Sequence, residues 1–158
     1  MKKGILSAMA ACAGAAAGAG AVAYQKAKRQ DYDFKVIKKN EAILKMLNQW
    51  LKLKQEGRSL EGYFKENNYK KIAIYGLSYA GERLLDELKG TETEVLYAID
   101  QNADRMFAEV EVVSAEEALA PVDVIVVTAI SYFDEIEEKL SERVDCPVVS
   151  LEDIVYEL

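Results

Sequence analysis

Not one of the 158 residues is a histidine. That absence removes the commonest general base, the triads built on it and a frequent metal ligand. Two cysteines, Cys12 and Cys146, are too few for a disulfide framework or a zinc site, and they read as unpaired thiols in a reducing compartment. Basic residues are scarce where the chain is richest in acids: residues 41–158 hold 12 Lys or Arg against 25 Asp or Glu, a net of −13. Such a surface repels nucleic acid, so nucleic acid is not expected as a partner. At this length, with an apolar half of its composition, the chain supports one domain with a real core.

What is present divides into three stretches. Residues 1–30 read as a membrane anchor with a basic flank, 31–69 as a helical linker and 70–158 as an α/β domain. Ile5 to Tyr24 runs without a charge for about the length a helix needs to cross a bilayer. It is weakly apolar, because most of it is Ala and Gly, and Gly14 and Gly18 give a small-xxx-small spacing. Lys2 and Lys3 precede it, whereas Lys26, Lys28, Arg29, Lys35, Lys38 and Lys39 follow, which places the C-terminal domain in the cytoplasm beside anionic lipid. Ala21-Val22-Ala23 leaves open the alternative of a secretory signal cleaved near Ala23. A lipoprotein-type box at Cys12 and an interfacial helix are weaker alternatives.

Asn40 opens an i, i+3, i+4, i+7 pattern with Ile43, Leu44, Leu47, Trp50 and Leu51 as its apolar stripe and Gly57 as its stop. This amphipathic helix is expected to pack on the following domain; a homodimer or partner surface is the alternative reading. Ser59 caps a short second helix carrying Leu60, Tyr63 and Phe64.

From Lys71 the strand and helix patterns alternate, as in a parallel sheet with crossover helices. Strands are expected at 71–75, 94–99, 110–113, 122–128 and 147–149, with 122–128 central. A helical turn is expected over 102–107, and the Ser114 to Glu117 capping box is expected to open a short helix ended by Pro121. The right-handed solution is a minimal Rossmann-like sheet in the order 3-2-1-4-5, preceded by the apolar and the amphipathic helix.

Ligands of such sheets sit beyond the strand carboxyl ends, where the order reverses between strands one and four. That rule gathers Gly76, Ser78, Tyr79 and Gly81 with Thr128, and puts Asp100 at the end of strand two, 24 residues after Gly76, where an acid meets ribose hydroxyls. The turn reads G-x-S-x-x-G. Ser78 replaces the glycine that allows closest approach to a pyrophosphate, and Glu82 adds negative charge to the first helical turn. Asp100 also suits a plain strand-end turn.

The segments Asn48 to Gly57, Tyr63-Phe64, Lys71 to Gly76, Ala98 to Asp100, Val126 to Ala129 and Ser150 to Ile154 resemble a small Rossmann-like domain of bacteria. That domain occurs alone or attached to glycosyltransferase-like and polysaccharide-biosynthesis proteins. The chain is more distantly similar to the nucleotide-binding N-terminal domain of bacterial sugar acyltransferases. The resemblance covers about residues 44–158 and implies turn glycines at Gly76 and Gly81 and an acid at Asp100, but no catalytic residue. No Tyr-x-x-x-Lys pair lies downstream of the glycine turn.

The expected function is a membrane-tethered, non-catalytic module that binds a nucleotide or nucleotide sugar, with polysaccharide-assembly proteins as partners. NAD(P) and nucleotide sugars are the candidate ligands, and no metal is expected. An NAD(P)- or sugar-nucleotide-dependent enzyme is one alternative, and a self-associating adaptor without a ligand is the other.

Overall fold

The computed structural model describes the backbone of residues 2–105 and 108–158, and the side chains of residues 24–105 and 108–158. Its helices are α1 (Lys2–Gln55), α2 (Glu61–Glu66), α3 (Tyr79–Leu88), α4 (Phe133–Ser141) and α5 (Leu151–Glu157). The strands are β1 (Lys71–Tyr75), β2 (Glu94–Ile99), β3 (Glu111–Val113), β4 (Val124–Val127) and β5 (Val148–Ser150). They form one five-stranded, all-parallel sheet in the order β3-β2-β1-β4-β5, with β1 and β4 paired at its centre. This is the order that the alternating pattern predicts.

Two compact units divide the chain, Met1–Glu41 and Ala42–Leu158. In the first, Lys35 pairs with Asp31 at 2.9 Å, one helical turn away, and Lys38 lies 5.6 Å from the Phe34 ring centroid. The second unit is built on the sheet. Side chains alternate across a strand, so Ile72, Ile74, Val124 and Val126 face one layer while Ala73, Ile125 and Val127 face the other. The first layer is closed by Met46, Trp50 and Leu53 of α1, Phe64 of α2, Leu84 and Leu88 of α3, and Ile154 and Val155 of α5. Tyr97, Ile99 and, from α4, Ile136 and Leu140 complete the second layer. All four residues of β4 are buried, as expected of a strand covered on both faces.

Three expectations need correction. Where two separate helices are expected before residue 57, there is one continuous helix, because no Gly or Pro stands between Ala21 and Glu56 to break it. Among the described residues no helix is long and apolar enough to cross a membrane. The side chains of residues 5–23 are not among those described, so the expected Ile5 to Tyr24 span falls almost wholly outside that statement.

The apolar stripe of α1 is rotated from its expected position. Met46, Trp50 and Leu53 are buried, whereas Leu44 and Leu51 are exposed. The seam follows 43, 46, 50 and 53, so residues 42–55 belong to the core of the second unit. Trp50, 5% exposed, is spent inside that core.

At Ser114 the capping box does form. The Glu117 carboxylate accepts from the Ser114 amide at 2.9 Å, and Ser114 Oγ accepts from the Glu116 amide at 3.3 Å, yet no helix follows. The segment is held instead by remote donors: Arg143 donates to the carbonyls of Ala115 and Glu117, and the Tyr97 hydroxyl donates to that of Ala120 at 2.7 Å. Pro121 then stops the segment. In the stretch 102–107 a 3-10 turn covers Ala103–Arg105, and residues 106–107 lie outside the described residues.

Candidate functional site

β1 ends at Tyr75 and its ladder is carried one step further on both sides. Gly76 N donates to Ile99 O at 2.8 Å, and Thr128 N donates to Tyr75 O at 2.9 Å. Gly76 has φ +92°, a conformation that side-chain-bearing residues rarely adopt, and this reverses the chain into α3. A Cβ on Gly76 would meet Thr128 Oγ1 at 3.0 Å, while one on Gly81 would sit inside the van der Waals surface of the Gly76 carbonyl oxygen. Both glycines are therefore fixed by close approach. Thr128, 3% exposed, donates its hydroxyl to the carbonyl of Gly76, with that of Tyr75 within 3.2 Å. It locks the turn from beneath and presents no free donor.

Asp100 holds the turn from the β2 side. Its Oδ2 accepts from Leu77 N at 3.1 Å, and its Oδ1 accepts from Asn102 N at 2.9 Å. The carboxylate thus acts as a strand-end turn residue and also ties β2 to the glycine turn. Lone pairs remain for a further donor, since two carboxylate oxygens offer about four acceptor positions. Ser78 caps α3 in extended geometry without a side-chain bond, and its carbonyl accepts from Glu82 N at 2.9 Å. Tyr79 is 85% exposed. Glu82, the acid of the first turn, lies 3.5 Å from Arg83 Nη2.

Of the six residues the sequence singles out, Gly76, Gly81, Thr128 and Asp100 are assembled into one turn. Ser78 and Tyr79 stand at the open end of α3 with their side chains in solvent. The open end of α3 offers an anion backbone amides, with the Ser78 and Tyr79 side chains and the acid Glu82 beside them. Among the described residues no group of three acidic or cysteine side chains is placed to hold a metal ion.

A cavity of about 290 Å³ opens on the second layer's side of the sheet, next to Tyr75 and Gln101 and under Ser114, Glu116, Lys139 and Arg143. Tyr75 and Gln101 each adjoin a residue of the turn, Gly76 and Asp100. Burial pushes the Tyr75 phenol above its ordinary pKa, and the negative charges of Asp100 and Glu116 push it further. At neutral pH it is a hydrogen-bonding group and not a base. Sequence patterns do not reveal this cavity. Glu116, Lys139 and Arg143 are exposed residues of a turn and a polar helix flank, indistinguishable by spacing from a solvated surface.

A family model described as C2185-like, N-terminal matches residues 68–148. The chain belongs to the C2185-like N-terminal family. The matched span of this C2185-like domain runs from just before β1 to the first residue of β5, and it contains Gly76, Ser78, Tyr79, Gly81, Asp100 and Thr128. No curated protein and no solved structure matches the chain significantly.

Proposed function

We propose that residues 42–158 form a non-catalytic binding module for a nucleotide or nucleotide sugar, tethered to the cytoplasmic face of a membrane by Ile5 to Tyr24. The observation that carries the ligand reading is the Gly76 turn: it lies between β1 and α3, at the point where the strand order reverses, with Asp100 bonded to Leu77 N. A phosphate group fits the open end of α3, and a sugar hydroxyl fits the acceptor capacity left on Asp100. The basic residues that follow Tyr24 support the orientation. The absence of histidine supports binding over turnover. Association with polysaccharide-assembly proteins belongs to the same reading and rests on the resemblance of the segments quoted above.

The test is a thermal-shift panel of NAD(P), nucleotide sugars, coenzyme A and adenine nucleotides. A ligand present at about 100 times its dissociation constant stabilises by about 2.7 kcal/mol, and a bulky residue in place of Gly76 is expected to abolish that gain. Silence across the panel would argue for a scaffold, and turnover of any member for an enzyme. N-terminal sequencing of the protein from its native host tests the tether, which a mature chain starting at Tyr24 would overturn.

A further inference from the structure

The cavity beside the glycine turn has a charge pattern of its own. Its floor is apolar, formed by the Tyr75 ring and the buried side chains of Ile136 and Leu140. Its rim carries one acid, Glu116, and one ammonium, Lys139. Among the described residues neither side chain makes an ion pair with the other or with a third group. Opposite charges that line one cavity without meeting leave a gap that a molecule carrying both charges would bridge. The guanidinium of Arg143 is already committed to the carbonyls of Ala115 and Glu117, which fixes the segment bearing Glu116 before any ligand arrives.

We propose that this cavity binds a small amphoteric molecule, an α-amino acid with an apolar side chain, with its carboxylate on Lys139, its ammonium on Glu116 and its side chain against Ile136 and Leu140. The volume, about 290 Å³, is at the lower end of ligand pockets and suits a molecule of that size. Binding in this cavity requires no phosphate at the Gly76 turn.

Thermal shift and calorimetry on the full chain test the proposal with L-leucine, L-valine, L-methionine and L-phenylalanine. The single-charge controls are 4-methylpentanoate and isoamylamine, which lack the amine and the carboxylate of leucine. At least one amino acid is expected to bind, with its single-charge analogues weaker by about tenfold or more, as loss of a charge-assisted hydrogen bond predicts. Lys139→Gln and Glu116→Gln are each expected to weaken binding to the same degree while leaving the unliganded melting temperature unchanged. Silence of all four amino acids at millimolar concentration would overturn the proposal, as would binding that survives both substitutions. Adenosine or uridine binding in place of amino acids would assign the cavity to a nucleobase, overturning this proposal and leaving the nucleotide reading intact.

Discussion

Trp50 Nε1 donates to Glu87 Oε2 across a distance of 2.7 Å, joining α1 to α3 through a carboxylate that is only 6% exposed. The other oxygen of Glu87 accepts from Ser59 Oγ at 3.0 Å and from Leu60 N at 2.8 Å, and Lys54 Nζ lies 3.2 Å from it. One side chain thus satisfies the end of α1, the turn after it and the entry to α2. A buried charge of this kind is tolerated because each oxygen is hydrogen-bonded and a cation stands alongside.

Removing that carboxylate leaves several donors without an acceptor. Glu87→Ala is expected to cost about 3 kcal/mol, the upper range for leaving buried donors unsatisfied. Glu87→Gln keeps one carbonyl acceptor but turns an amide donor towards other donors, and about 1–3 kcal/mol is expected. Urea unfolding monitored by Trp50 fluorescence measures both. A loss below 1 kcal/mol for the alanine variant would show that the network relaxes onto water.

The rotated seam of α1 makes an equally direct prediction. Leu53, 1% exposed, should lose about 2–5 kcal/mol on truncation to Ala, whereas Leu51→Ala should fall within about 0.5 kcal/mol of the parent. Equal losses at the two positions would restore the stripe through Leu44 and Leu51.

That contrast marks what the residue pattern conveys and what it withholds. The sheet order, the parallel pairing and the glycine turn are legible because they depend on local signals: runs of Val and Ile, Gly76 at a strand end, and Asp100 at the next strand end. The phase of an amphipathic helix is harder to read. Ile43, Leu44, Leu47, Trp50 and Leu51 fit a stripe as well as Met46, Trp50 and Leu53 do, and only packing in the core beneath the sheet chooses between them. The helix expected after Ser114 fails for another reason: the segment is held by donors remote in sequence, Arg143 on the Ala115 carbonyl 28 residues away and Tyr97 on the Ala120 carbonyl 23 residues away. Long-range claims on backbone groups leave no trace in periodicity. The same holds for the Glu116 and Lys139 rim.

Glycine substitutions separate backbone strain from steric conflict. Gly90, with φ +77° and open space around it, should lose about 1–2 kcal/mol as Ala from the left-handed conformation alone. Gly76→Ala adds contact with Thr128 Oγ1 to a similar φ and should cost more. Gly81→Ala has ordinary helical φ but drives its Cβ into the Gly76 carbonyl, so about 1–3 kcal/mol of overpacking is expected, with the turn displaced. Thermal unfolding orders the three, and a Gly76→Ala variant as stable as Gly90→Ala would refute the close-packed turn.

Asp123 supplies a pH dependence whose sign follows from its contacts. Its Oδ2 accepts from Lys70 N at 2.7 Å and Lys71 N at 2.8 Å, and these backbone bonds hold its carboxyl below the ordinary aspartate pKa. A depressed folded pKa means that the unfolded chain takes up the proton first as pH falls. The contribution is complete above about 3.9, the unfolded value, and is lost as pH drops through the lower folded value. Asp123→Asn should therefore narrow the stability gap to the parent as pH falls through that window. Melting temperatures of the two proteins that stay parallel throughout the acid limb would remove Asp123 from the explanation.

Arg143 offers the last prediction, because its planar fork is suited to two carbonyls at once and a lysine is not. Nη1 donates to Ala115 O, and Nη2 donates to Glu117 O at 2.7 Å. Arg143→Lys keeps the charge but can satisfy one carbonyl at a time, so the turn at Ser114 to Glu117 should open more often at a cost of about 1 kcal/mol. Hydrogen exchange reads the difference locally. The Glu117 amide, bonded to Ser114 O at 3.1 Å, should exchange faster in the variant, while the amides of β1 and β4 keep their protection. If the charge alone held the turn, Arg143→Lys would leave Glu117 exchange unchanged and only Arg143→Gln would raise it. Faster exchange in the lysine variant, with the core strands unaffected, would identify the two-pronged geometry as what keeps this segment from completing the helix that its capping box begins.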